Sequence, residues 1–239
     1  MDIDLPIAIE PQPDDTTCGP TCLHAVYDYY GEQLTLTDVI DTTRTLEEGG
    51  TLAVFLANAA MRRGYRATIY TYNLQMFDPS WFAAPDTDLA DKLRRQAQHK
   101  TDPKLQHATE GYLEFLQLGG KLRFADLNRR LIRGILRRRL PVLTGLSATY
   151  LYHSARVYGP EDDPDDVRGL PCGHFVVLAG YHGSDRSVLI ADPYLPNPVG
   201  EGHFYAVNID RVICSIMLGV LTYDANLLVI QPQGAGQPL

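Results

Sequence analysis

The sequence predicts an α+β fold in which a helical N-terminal half packs on an antiparallel sheet half toward the C terminus. Three observations carry that prediction. An apolar stripe at helical spacing follows Cys18, a β-hairpin pattern spans 173–192, and the stretch between about 74 and 122 reads as an inserted pair of helices. The 239 residues are 45% hydrophobic, enough to bury a substantial core. We read one domain over 1–232: a helical half to about 73, the insertion at about 74–122, and the sheet half from about 123 to 232. A tail of Gly, Gln and Pro at 233–239 is expected to fray.

The first long helix organises the chain. Pro20 suits a first helical turn, where its missing N–H would be unpaired anyway. Leu23, Val26, Tyr27 and Tyr30 recur at i, i+3, i+4 and i+7, and Gly31 can end the helix in a left-handed conformation. Cys18 therefore stands at the head of a buried helix, after the turn-rich loop Gln12-Pro-Asp-Asp-Thr-Thr. Unpaired N–H groups and the positive dipole end favour a thiolate there, the nucleophilic form of sulfur. A free cysteine is also a good small core residue, and on this stretch alone both readings stand.

The next elements follow in order. Thr37 would cap a short helix over 38–46, and Gly49-Gly50-Thr51 opens a helix over 52–63 that Gly64 stops. Residues 66–72 alternate and β-branch like a strand. In the insertion, Met76–Phe82 is an aromatic loop holding the single tryptophan, and helices are expected at 88–99 and 104–118 around the Asp102-Pro103 turn signal. A helix is predicted over 123–139, with Phe124, Leu127, Leu131, Ile135 and Leu136 as its apolar stripe and six arginines around it. Strands are predicted at 141–146 and 149–158.

Two apolar, β-branched runs flank His182-Gly183-Ser184, a hairpin signal. A turn centred on Gly183 would put His174 directly opposite Asp192, where facing side chains approach within about 5 Å. A carboxylate so placed can hold an imidazole in one tautomer and stabilise its charged form. A slip of one residue would send the two to opposite faces. Beyond lie a rigid Pro turn at 194–198, a strand at 203–207, a short helix over 208–215 and a closing strand at 226–230.

Gln12, then Cys18-Gly19 six residues on, a helix ending Tyr29-Tyr30-Gly31, the Gly173-His174-Phe-Val-Val run and Ala191-Asp192-Pro193 together resemble one family. It is that of the bacteriocin-processing double-glycine leader peptidases, cysteine peptidase family thirty-nine of the papain-like clan. The match covers roughly 8–68 and 125–232 and leaves the middle unmatched. The resemblance implies a papain-like fold with Cys18 as nucleophile, His174 as general base and acid, Asp192 as its orienting carboxylate, and Gln12 as a side-chain donor to the oxyanion. Gly50-Thr51 resembles a cleft-wall element, beside its plain reading as a helix start. The family usually sits on a membrane exporter with an ATPase domain; this chain reads as a stand-alone relative.

Composition narrows the function classes. Lys plus Arg is 21 against 29 Asp plus Glu, a net charge of -8, which argues against nucleic-acid binding. No charged-then-apolar leader opens the sequence, no apolar run reaches the ~20 residues of a membrane span, and four cysteines do not make a disulfide framework. A cytoplasmic protein needing no cofactor or metal is expected, its partner a peptide or protein substrate. Glu161-Asp-Asp-Pro-Asp-Asp166 and Asp14-Asp15 would rim the cleft with carboxylates and favour basic peptides. A solvated or calcium-binding loop is the plain alternative for 161–166. Cys18, Cys22, Cys172 and His174 compose a zinc-like set, but Cys-x3-Cys and Cys-x-His are not zinc-knuckle spacings. Cys22, one turn beyond Cys18, reads as core, and Cys172 as a weaker candidate redox partner. The same triad could serve an amidase, a transpeptidase or an acyltransferase. A relative that binds peptides without cleaving them is the other alternative.

Overall fold

A computed structural model describes residues 2–46, 49–223 and 225–234. Strand β1 (Ile3–Asp4) is followed by helices α1 (Cys18–Tyr29), α2 (Leu36–Thr42) and α3 (Ala53–Arg62), then β2 (Tyr65–Thr71). A 3-10 turn at Pro79–Phe82 leads to α4 (Leu89–Ala97), α5 (Pro103–Gln117), β3 (Lys121–Arg123) and α6 (Arg129–Arg137). Next come β4 (Val142–Ser147), α7 (Ala148–Tyr152), the two-residue strands β5 (Val157–Tyr158) and β6 (Asp163–Pro164), and the long hairpin β7 (Gly173–His182) and β8 (Ser187–Ala191). The chain closes with β9 (Phe204–Asn208), α8 (Ile209–Leu218), a 3-10 turn at Gly219–Thr222 and β10 (Asn226–Pro232). The tail expected at 233–239 lies outside the described residues from 235 on.

One eight-stranded sheet runs β3-β2-β10-β4-β7-β8-β9, with β1 added beside β7. It reaches beyond the C-terminal half, since β2 pairs with β10 along its whole length. The sheet is mixed: β2 and β3 are parallel, while every other named pair is antiparallel. Strands β4 and β7 at its centre are buried over nearly every residue, which is why they read as continuous apolar runs. Helix α1 packs against β7, α2 and α3 and is buried from Gly19 to Tyr27. Helix α5 lies on α3 and α4, and β3 extends the sheet edge, so residues 79–123 enlarge the helical layer.

Four sequence expectations need correction. The helix expected at 38–46 begins earlier: Thr35, not Thr37, caps α2 in a reciprocal capping box with Asp38. The helix expected over 123–139 is only α6. Asn128 caps it by accepting from the Leu131 N–H, and Phe124 lies before it, stacked on Phe82 at 5.3 Å. The strand expected at 149–158 forms only at Val157–Tyr158, and its first four residues belong instead to α7, which Ser147 caps by accepting from the Tyr150 N–H. Tyr150 and Tyr152 sit on that turn of helix, while Tyr158 lies on β5.

The fourth concerns the hairpin register. Its turn is longer than one centred on Gly183: His182 pairs with Ser187 and Tyr181 with Val188. Continued unbroken, that register would bring Asp192 level with Val177, on the face opposite His174. A β-bulge between Leu178 and Gly180 shifts the ladder by one, so that Val177 pairs with Ala191. Asp192 then comes level with Val176, two residues from His174 and on its face. Strand β1 docks at the bulge: the Leu5 N–H donates to the Ala179 carbonyl, and a Cβ on Gly180 would stand 2.5 Å from the Ile3 carbonyl oxygen. Only glycine permits that approach.

Candidate active site

Cys18 is the first residue of α1 and is partly exposed. The preceding loop is built on Asp14, whose carboxylate accepts from the Thr16 N–H and hydroxyl, both at 2.8 Å. Those bonds, the Thr16 hydroxyl first, hold its carboxyl below the ordinary value against the opposing effect of burial. Thr17 occupies the N-cap position but makes no side-chain capping bond; its hydroxyl donates to the Asp14 carbonyl instead. The first-turn N–H groups of α1 thus lack a side-chain cap. Gly19 is required by packing, because a Cβ there would meet Thr51 Cγ2 at 2.5 Å. Thr51 accordingly walls the helix start, fixed by its hydroxyl bond to the Arg44 carbonyl at 2.7 Å.

His174 is buried on β7, facing α1. Its Nε2 bonds Asp192 Oδ1 at 2.8 Å, which leaves Nδ1 for Cys18. Burial opposes charge on the ring, but the Cys18 charge, the Asp192 bond and a bond to Cys18 outweigh it. Together they raise the ring's pKa from 6.5 to about 10. Asp192 has 0% exposure. Its Oδ1 also accepts from the Tyr194 N–H at 2.9 Å, and Oδ2 accepts from the hydroxyls of Tyr205 at 2.6 Å and Tyr152 at 2.8 Å. Burial works to raise its pKa, and these donors, His174 first, bring it below the ordinary value. The rings of Tyr152 and Tyr194 flank the imidazole at 6.1 and 6.2 Å.

Gln12 stands beside the acid. Its N–H donates to the Pro193 carbonyl at 2.9 Å, and its Nε2 donates to the Asp14 carbonyl at 2.8 Å. Its Oε1 is buried without a hydrogen-bond partner. The structure therefore gathers Gln12, Cys18, His174 and Asp192 around the junction of α1 with the β7–β8 hairpin.

The other cysteines are placed differently. Cys22 is fully buried, its thiol donates to the Phe175 carbonyl at 3.3 Å, and burial pushes it well above the ordinary thiol range. Cys172 donates to its neighbour's carbonyl at Gly173. Among the described residues no three His, Cys, Asp or Glu side chains are gathered as a metal site. No described helix is long and apolar enough to cross a membrane.

Sequence reasoning missed Tyr152 and Tyr205. Tyr205 sits on an inward position of β9, opposite Ile190, and a buried tyrosine needs a partner for its hydroxyl. That alternation was the available signal. Tyr152 carried none, because the stretch read as a strand.

The layout of a helix headed by a thiol against a sheet carrying an imidazole and an acid is that of the papain-like cysteine peptidases. Xylellain, a cysteine protease from Xylella fastidiosa, shares the fold with a TM-score of 0.52 at 14% identity, over 97% of this chain and 85% of that one. Within that class, the chain belongs to the Peptidase_C39 like family, whose model matches residues 4–204. Two peptidases of transporters are also similar in structure. A double glycine motif protease from an AMS/PCAT transporter, solved with its leader peptide, gives a TM-score of 0.46 at 14% identity over 96% of this chain and 94% of that one. The peptidase domain of Streptococcus ComA, a bi-functional ABC transporter, gives 0.44 at 14% identity over 95% and 99%. The sequence has no significant match among curated proteins.

Proposed function

We propose that the chain hydrolyses peptide bonds through an acyl-enzyme on Cys18. The observation that carries this reading is the His174–Asp192 bond at 2.8 Å, made by the ring nitrogen that leaves the other one free for Cys18. In this mechanism the Cys18 thiolate attacks the peptide carbonyl carbon. The carbonyl electrons pass to oxygen, where the Cys18 N–H and the Gln12 side chain stabilise the oxyanion; such a donor is worth about 3 kcal/mol. Collapse breaks the C–N bond as the His174 imidazolium gives its proton to the leaving amine. A water molecule then attacks the thioester, neutral His174 takes its proton, and the acid product leaves with Cys18 and His174 restored.

The acidic rim supports a basic substrate segment. Glu161, Asp162, Asp163 and Asp166 are exposed, while Asp165 is paired with Arg168. Asp162 lines a hollow of about 520 Å³ that reaches Cys172, two residues from His174. A carboxylate rim raises the local concentration of cationic peptides at low salt.

The test is hydrolysis of a peptide library by the wild-type chain and Cys18→Ala. The variant is expected to stay folded and lose turnover; cleavage at the wild-type rate would refute the mechanism. Within the library, basic peptides are expected to be cleaved faster than length-matched acidic ones at low salt. Equal rates would remove the rim from the account and leave the triad standing.

A further inference from the structure

We propose that Tyr205 and Tyr152 are positioning residues whose hydroxyls clamp Asp192 Oδ2 and thereby set the pH below which Cys18 loses its reactivity. The proposal rests on the catalytic reading above and assigns a role to two residues outside the triad. A carboxylate offers about four acceptor sites. All four of those on Asp192 are filled, two by His174 and the Tyr194 N–H, and two by the tyrosine hydroxyls. Rotation of the carboxylate would break all four bonds inside a fully buried site, where each lost partner is costly.

The clamp draws on separate elements. Tyr152 comes from α7, Tyr205 from β9, and the acid from the end of β8. Other ionisable or polar groups around the carboxylate are Cys18 and Cys22 from α1, His174 from β7, and His203, whose Nδ1 meets the Asp192 carbonyl at 2.7 Å. Asn197 lies beside the Tyr205 hydroxyl. The charge of this buried acid is thus supported by neutral hydroxyl and amide donors together with one imidazole. Without the hydroxyls, the carboxylate takes up a proton more readily and is free to turn from His174. Both effects weaken the imidazolium that sustains the thiolate, and both act in the same direction.

The experiment uses Tyr205→Phe, Tyr152→Phe and the double variant of the full chain. Iodoacetamide labelling of Cys18, read by peptide mass spectrometry across the acid-to-neutral range, needs no knowledge of the substrate. Thermal melts followed by circular dichroism establish that each variant is folded. The labelling rate of wild-type Cys18 across this range gives the reference profile. Its acid edge is expected to rise by about one pH unit in each single variant and further in the double, the scale of one hydrogen bond to a charged group. Lowered melting temperatures with an unmoved acid edge would make the tyrosines merely structural and overturn the proposal. A wild-type Cys18 that reacts only as an ordinary thiol would instead overturn the catalytic reading, and the clamp with it. Should Tyr205→Phe unfold, Tyr152→Phe, with its partly exposed ring, decides the question by the same two criteria.

Discussion

The Asp192 carboxylate accepts from His174 at 2.8 Å through one oxygen and from Tyr205 at 2.6 Å through the other. Removing this acceptor therefore affects more than the imidazole. In Asp192→Asn the amide oxygen can still meet His174, but the two phenol hydroxyls lose their charged acceptor. In Asp192→Ala every donor is left without a partner. Unsatisfied buried donors cost about 1–3 kcal/mol each. Melting temperatures are expected to fall in the order wild type, Asp192→Asn, Asp192→Ala, by about 2–4 °C per kcal/mol for a chain of this size. Calorimetry measures the order; an Ala variant as stable as the Asn variant would contradict this account of the buried donors.

His174 provides a pH test. Its pKa is raised from 6.5 to about 10, with the Cys18 charge the largest influence acting upward against burial. A group whose pKa is raised on folding contributes stability that is fully present below its unfolded value. His174 therefore stabilises the fold fully below about pH 6.5 and loses that contribution as pH rises toward 10. Asp192 has the opposite sign: its lowered pKa contributes above the ordinary carboxylate value and is lost as pH falls through the lowered one. In Cys18→Ala the main upward influence on His174 is gone. The ring is expected to titrate at lower pH than in the wild type, and stability should fall less steeply in the alkaline range. Two-dimensional NMR of the imidazole carbon-bound protons reads the titration; an unchanged value would show that Cys18 does not act on the ring.

The sequence made the candidate site more legible than the register that assembles it. Cys18 could be placed because helical periodicity begins there, and His174 and Asp192 because β-branched runs flank them. The ladder could not be read, because it depends on a longer turn and a bulge that the alternation of side chains does not reveal. The turn from Gly183 to Arg186 would move Asp192 from its expected place opposite His174 to one opposite Val177, and the bulge at Ala179 brings it back by one residue to Val176, which restores the face but not the pairing. Gly180, inside an otherwise apolar run, was the available sign of a bulge or a close backbone approach. The first part of the strand expected at 149–158 failed for another reason: tyrosine and leucine fit a strand or a single helical turn equally, and the Ser147 cap decided for helix over 149–152. The stripe at 124–136 likewise hid the boundary at Asn128, where the capping bond rather than the hydrophobic period sets the helix start.

Gly19 gives a packing test. By helix propensity alone, alanine there would stabilise α1 by about 1 kcal/mol. The new Cβ, however, would lie 2.5 Å from Thr51 Cγ2 and 3.3 Å from Leu56 Cδ1. Overpacking of this kind costs about 1–3 kcal/mol, so Gly19→Ala is expected to destabilise. It should also displace the first turn of α1 and slow iodoacetamide labelling of Cys18. Thr51→Ser removes the blocking methyl and keeps the hydroxyl that bonds the Arg44 carbonyl. The double variant is expected to recover part of both losses, with a coupling of about 1 kcal/mol in a denaturation cycle. Strict additivity in that cycle would mean that Thr51 does not press on the head of the helix.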